Sequence, residues 1–93
     1  MIGNFARSLA GHDKGQLYII IEETAECFIL ADGKQKTFEN PKKKNKKHVQ
    51  IIKKECNEEL KTRLQNQEAV NNEAVKRAIK LYELEVNECQ KPM

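Results

Sequence analysis

Tryptophan is missing from this chain, and only three phenylalanines and two tyrosines supply aromatic rings among its 93 residues. Platforms on which unpaired bases could stack are therefore scarce, because a small core needs most of these rings for itself. Cysteine is sparse as well: Cys27, Cys56 and Cys89 are odd in number, far apart and without a C-x-x-C pair. That spacing excludes a disulfide framework and points to reduced thiols. With only His12 and His48 to join them, no spacing matches a zinc site, so neither a metal nor another cofactor is expected. Long apolar runs are lacking too. The longest, Leu17 to Ile21, is far too short for a membrane span or a signal-peptide core. A cytoplasmic protein without membrane attachment is the expectation. There is also no G-x-S-x-G, no H-E-x-x-H and no cysteine in a recognisable catalytic setting, which argues against an enzyme.

What the chain does have is charge, and its distribution says more than its total. The formal net charge is only +3. Residues 1–41 carry four basic and six acidic side chains, net −2, and residues 55–93 carry six basic and eight acidic, again net −2. Between them, residues 42–54 hold seven lysines and no acid. Like charges this close repel one another unless something anionic relieves them, so a near-neutral body with one basic segment reads as an electrostatic footprint. A solvated loop that merely aids solubility is the plainer alternative. Apolar segments on both sides pin the run, which favours the footprint.

Hydrophobic patterning divides the chain in two. Phe5 to Leu9 is a candidate first strand. Gln16 to Glu23 is a second, with Leu17, Ile19 and Ile21 on one face and Tyr18 and Ile20 on the other. Cys27 to Ala31 is a third apolar run, and Asp32-Gly33 after it has the composition of a two-residue hairpin turn leading to a strand through Lys34 to Phe38. Pro41 should close that strand, leaving the lysines as a loop before a last strand at His48 to Ile52. Short strands joined by tight turns imply a small closed or nearly closed β-barrel, since closure removes exposed edges. The period then changes. Cys56, Leu60 and Leu64 recur at helical spacing, and a second helix should start at an Asn71 or Asn72 cap and present Val75, Ala78, Ile79, Tyr82 and Val86 on one face, with Pro92 beyond its end.

One stretch, SLAGHDKGQL, places His12 beside Asp13 between Gly11 and Gly15. An imidazole oriented by a carboxylate is the core of many hydrolytic sites, but adjacent residues rarely form one and no nucleophile is in prospect. A turn explains more of the letters: the glycines supply positive φ angles, Asp13 bonds to its own turn and Lys14 stays in water.

Arg7, Ser8, Ala10, Gly11, Asp13, Gly15 and the alternating run Leu17 to Ile21 follow a familiar order: a basic residue, small residues, a G-x-D-x-G turn and a strand. This order resembles the KOW motif, a short RNA-binding signature carried by SH3-like barrels of ribosomal proteins and transcription elongation factors. The stretch ADGKQKTFENPKKKNKKHVQ, Ala31 to Gln50, is similar to the second half of small KOW-domain proteins related to one family of large-subunit ribosomal proteins. In these a D-G hairpin is followed by a proline and lysines. The resemblance covers about the first 52 residues and implies an SH3-like KOW barrel over residues 1–53; with the two helices read from periodicity, the expected fold is mainly β with α, the helical extension over 54–93 packing on the barrel or on a partner.

It also implies a non-enzymatic, ribosome-associated protein that binds RNA, ribosomal RNA foremost, with ribosomal proteins as possible neighbours. Lys42, Lys43, Lys44, Lys46 and Lys47 would neutralise phosphates, which releases counterions and gives salt-dependent affinity. Asn45 and His48 would add hydrogen bonds, and Arg7, His12 and Lys14 would join if the first turn and the lysine segment share a face. Phe28 and Phe38 are expected in the core and Tyr82 at a helix interface, leaving Tyr18 as the one candidate for base stacking. Structured RNA is the expected target. A protein-interaction module using the barrel and helical tail is the competing reading. The helices are expected to fold back on the barrel of a monomer, because so small a barrel gains from added apolar burial.

Overall fold

A strand that is apolar on both faces needs two cores, and β2 (Leu17–Glu23) has them. The computed structural model describes residues 2–56, 58–66 and 70–90, with side chains described for 2–52, 60–66 and 70–84. Around β2 lie β1 (Asn4–Ser8), β3 (Cys27–Ala31), β4 (Lys42–Asn45) and β5 (Val49–Cys56), followed by α1 (Glu58–Gln65) and α2 (Asn72–Gln90). All neighbouring strands are antiparallel, in the order β4-β3-β2-β1-β5. The sheet curls into a half-barrel. Two irregularities accompany the curl: the β2–β3 register shifts between Ile20 and Glu22, and the β1–β5 register shifts between Asn4 and Phe5. Each adds unpaired residues to one strand, which bends it and raises the local twist.

Alternation then sorts the side chains. Phe5, Leu17, Ile19 and Ala31 face the helices, where they meet Leu60, Val75, Ala78, Ile79 and Tyr82. The Phe5 and Tyr82 rings stack with centroids 4.7 Å apart. On the opposite, inward-curling face Ala6, Tyr18, Ile20, Phe28, Leu30 and Val49 form a second cluster. Ile19, Ile20 and Leu30 are fully buried, and each contributes about 2 kcal/mol by leaving water. The helical extension therefore completes a core of the sheet. α2 starts where its asparagines predict, with the Asn71 Oδ1 accepting the Ala74 N–H at 2.9 Å.

The segment after β3 departs from the sequence reading. No strand forms over Lys34 to Phe38, and Asp32-Gly33 does not close a two-residue hairpin. Instead the Asp32 carboxylate accepts the N–H groups of Lys34 and Lys36, both at 2.9 Å, and wraps the chain into a loop. The loop then leaves the sheet because its backbone is held elsewhere: Asn72 Oδ1 accepts the Phe38 N–H at 2.9 Å. Phe38 accordingly packs half-buried against the helix-side core. Gly33 has φ +79°, and the backbone of Asn72 and Lys76 presses so closely on it that no Cβ fits.

The strand that pairs with β3 is the lysine run itself, so Pro41 precedes a strand instead of ending one. Phe28 pairs with Lys44 and Leu30 with Lys42. Cys56 closes β5 opposite Asn4 and so does not open a helical stripe; β5 thereby runs past residue 53. The burial expected of Val86, and the surroundings of Cys56 and Cys89, lie outside the described side chains, as Pro92 lies outside the described residues.

Candidate nucleic-acid interface

The loop between β1 and β2 is the turn that its glycines imply. Gly11 and Gly15 both hold positive φ, 87° and 89°, and the Gly15 N–H returns to the Ser8 carbonyl at 2.9 Å. Asp13 does more than hold its own turn. Its carboxylate points into the inward face of the half-barrel and accepts hydrogen bonds from Ser8 Oγ at 2.9 Å, Tyr18 Oη at 2.9 Å and Lys44 Nζ at 2.8 Å. Lys42 Nζ stands 3.8 Å away. Lys44 also donates to the Ala10 carbonyl at 2.8 Å. A charge-assisted clasp therefore joins the free edge strand β4 to the loop at the far side of the sheet, where no backbone ladder runs.

The electrostatics follow from this geometry. Burial pushes the Asp13 carboxyl up, but the hydrogen bonds from Lys44, Tyr18 and Ser8 and the charge of Lys42 outweigh it, holding the acid well below the usual carboxylate range. Tyr18 moves the other way: burial, the hydrogen bond to Asp13 and the charges of Asp13 and Asp32 raise its phenol above the ordinary tyrosine value. With its ring in the inner core and its hydroxyl on Asp13, Tyr18 is not a base-stacking platform. The sequence left that role open because alternation shows a buried face only once the second core is known.

The other residues singled out in the sequence fall into two groups. Lys44 is taken up by the clasp, its side chain 12% exposed. Lys46 pairs with Glu23 at 2.7 Å and lies 5.1 Å from the Phe28 ring centre. The Lys46 ammonium holds the Glu23 carboxyl below its ordinary value. Arg7 donates to the Gly15 carbonyl at 2.9 Å, tying its own hairpin. Asn45 caps the 3-10 turn Lys46–His48 by accepting the Lys47 N–H at 3.0 Å. These four shape the rim. By contrast, His12, Lys14, Lys43, Lys47 and His48 are exposed, and Lys42 is half-exposed.

Two of these elements meet. The Leu9 N–H bonds to the His48 carbonyl at 2.9 Å, and Ser8 pairs with Val49, so the 3-10 turn lies directly against the β1–β2 loop. His12 and Lys14 thus share a rim with Lys47 and His48. Lys43 pairs with Ile29, one register step from Lys42 and Lys44, and therefore stands on the opposite face of β4. Ser8, Tyr18 and Lys44 are the members of the clasp whose part in it sequence reading did not foresee. The run Lys42 to Asn45 carries no alternation in sequence, so only the pairing of β4 with β3 puts Lys42 and Lys44 on the face of Asp13.

Among the described residues no group of three His, Cys, Asp or Glu side chains could hold a metal ion, and no helix is long and apolar enough to cross a membrane. Set against known proteins, the chain matches no family model and no curated protein.

Proposed function

We propose that this chain is a non-enzymatic RNA-binding protein, an SH3-like barrel of the KOW type that docks on structured RNA at the ribosome. The observation that carries the reading is the joined rim: the β1–β2 loop and the Lys46–His48 turn are hydrogen-bonded together through Leu9 and His48, and His12, Lys14, Lys47 and His48 are exposed on these two elements. Phosphates are the ligands that such a surface suits, since no acid among these four residues offsets their charge. Buried Tyr18 supports a duplex or folded target over a stacked single strand. Lys44, in this reading, positions the rim without touching RNA.

The test is anisotropy of a labelled RNA hairpin titrated with the full chain across salt. With Lys14 and Lys47 on phosphates, log affinity should fall with log salt with a slope of about −2. Lys14→Ala with Lys47→Ala should reduce that slope by about two and leave folding unchanged. No binding at about 50 mM salt would sink the reading.

A protein-interaction module remains the second reading. Leu81 and Leu84, exposed on α2, favour it.

A further inference from the structure

Among the described side chains of α2, the inner face is buried and the outer face is exposed. Val75, Ala78, Ile79 and Tyr82 enter the core, whereas Leu81 and Leu84 stand 51% and 52% exposed. Both lie on the side of the helix turned away from the sheet, three residues apart, and Arg77 precedes Leu81 by one turn on the same stripe. Two leucines singly exposed need no explanation. Two further observations give these a context.

The first is shape. Leu81 borders a groove of about 380 Å³ between α1 and α2, lined on its apolar side by Leu60, Ala74 and Ala78. A leucine ridge beside a groove on one surface is self-complementary, which a two-fold interface requires. The second is charge. The first half of α2, residues 72–81, carries Lys76, Arg77 and Lys80 against Glu73, net +2; the second half, residues 82–90, carries Glu83, Glu85 and Glu88 and no base, net −3. A helix divided in this way repels a parallel copy and attracts an antiparallel one. A two-fold axis between positions 81 and 84 sets Leu81 of each copy against Leu84 of the other and lays each basic half along an acidic half.

We infer that α2 is a homodimerisation helix, pairing antiparallel with α2 of a second copy through Leu81 and Leu84. Nineteen residues make a contact about 28 Å long, which belongs to the small, transient class of interfaces. The inference does not depend on RNA binding, because the surface lies on the helices and not on the basic rim.

Sedimentation equilibrium of the full chain, without RNA, tests it. The mass should rise from monomer to dimer and no further as concentration increases. Leu81→Lys and Leu84→Lys, both at exposed positions, should each weaken association at least ~10-fold while leaving the far-UV circular dichroism unchanged. Salt reads the direction of pairing: raising it from about 50 to 500 mM should weaken an antiparallel dimer several-fold, whereas a parallel one would tighten. A monomer at near-millimolar concentration, association that outlasts both substitutions, growth beyond dimer, or tightening with salt would each overturn the inference.

Discussion

Removing the Asp13 carboxylate should open the half-barrel, and the size of the effect can be worked from its contacts. Asp13 accepts three side-chain hydrogen bonds, one from an ammonium, and the Asp13 and Lys44 side chains are only 15% and 12% exposed. Hydrogen bonds to a charged group contribute ~1.5 to 3 kcal/mol each but do not add fully, and truncating one partner of a buried ion pair costs ~3 to 5 kcal/mol. Residual solvent contact and the proximity of Lys42 to the site reduce that figure, so Asp13→Ala should cost about 3 kcal/mol. For a chain of this size such a loss is roughly a fifth to a half of the total stability and lowers the melting temperature by roughly 12 to 20 °C. Urea unfolding followed by circular dichroism measures it. A double-mutant cycle of Asp13→Asn with Lys44→Met should return a coupling near ~2 kcal/mol, above the ~0.2 to 1 kcal/mol of an exposed pair. The acid limb provides an independent check. Because the folded-state pKa of Asp13 lies below its unfolded value, its contribution is complete above about pH 5 and is lost as pH falls below the ordinary carboxylate range. Asp13→Asn should flatten that limb. A coupling under ~0.5 kcal/mol would refute the clasp as the element that holds β4 to the β1–β2 loop.

Tyr18→Phe keeps the ring in the core and deletes one donor to Asp13, so it should cost about 1.5 kcal/mol in the same urea assay. The raised folded-state pKa of Tyr18 makes the native protein lose stability as pH rises above about 10, and Tyr18→Phe should remove that alkaline component. Gly33→Ala should be among the most damaging single changes, about 3 kcal/mol or more, since the added methyl meets the Asn72 carbonyl and the Lys76 backbone at a positive φ. Thermal melts would show it as a loss well beyond that of Gly15→Ala, where nothing lies within 4 Å of the new Cβ.

Much of the fold was legible because hydrophobic pattern and turn chemistry agreed. β1, β2 and β3 and the start of α2 lie where their residues place them, since Leu17 to Ile21 is apolar on both faces and Asn71 is a strong cap. The lysine strand was not legible. Nothing in Lys42 to Asn45 has a preference for extended structure; β4 exists because β3 needs a hydrogen-bonding neighbour on that side and because Asp13 and Ala10 offer Lys44 a seat. The Asp32 loop misled for a related reason. Asp-Gly favours a tight hairpin locally, but Asn72, forty residues along the chain, captures the Phe38 N–H and draws the segment off the sheet. At the candidate site the cations were legible as a cluster, and their division into structural and free members was not. That division depends on which face of β4 each side chain takes, and a lysine run carries no alternation to reveal it.

The position of β4 gives those lysines a consequence independent of any ligand. It is the last strand of the sheet, with one side of its backbone not paired to another strand. Edges of this kind recruit other chains, and proteins guard them with short strands, prolines and lysines. This one has four residues, three of them lysine, directly after Pro41. The lysines of β4 therefore guard the edge of the open half-barrel against adding a strand from its neighbour. Neutralising them would be expected to trade solubility for strand-to-strand assembly, even where the monomer fold survives.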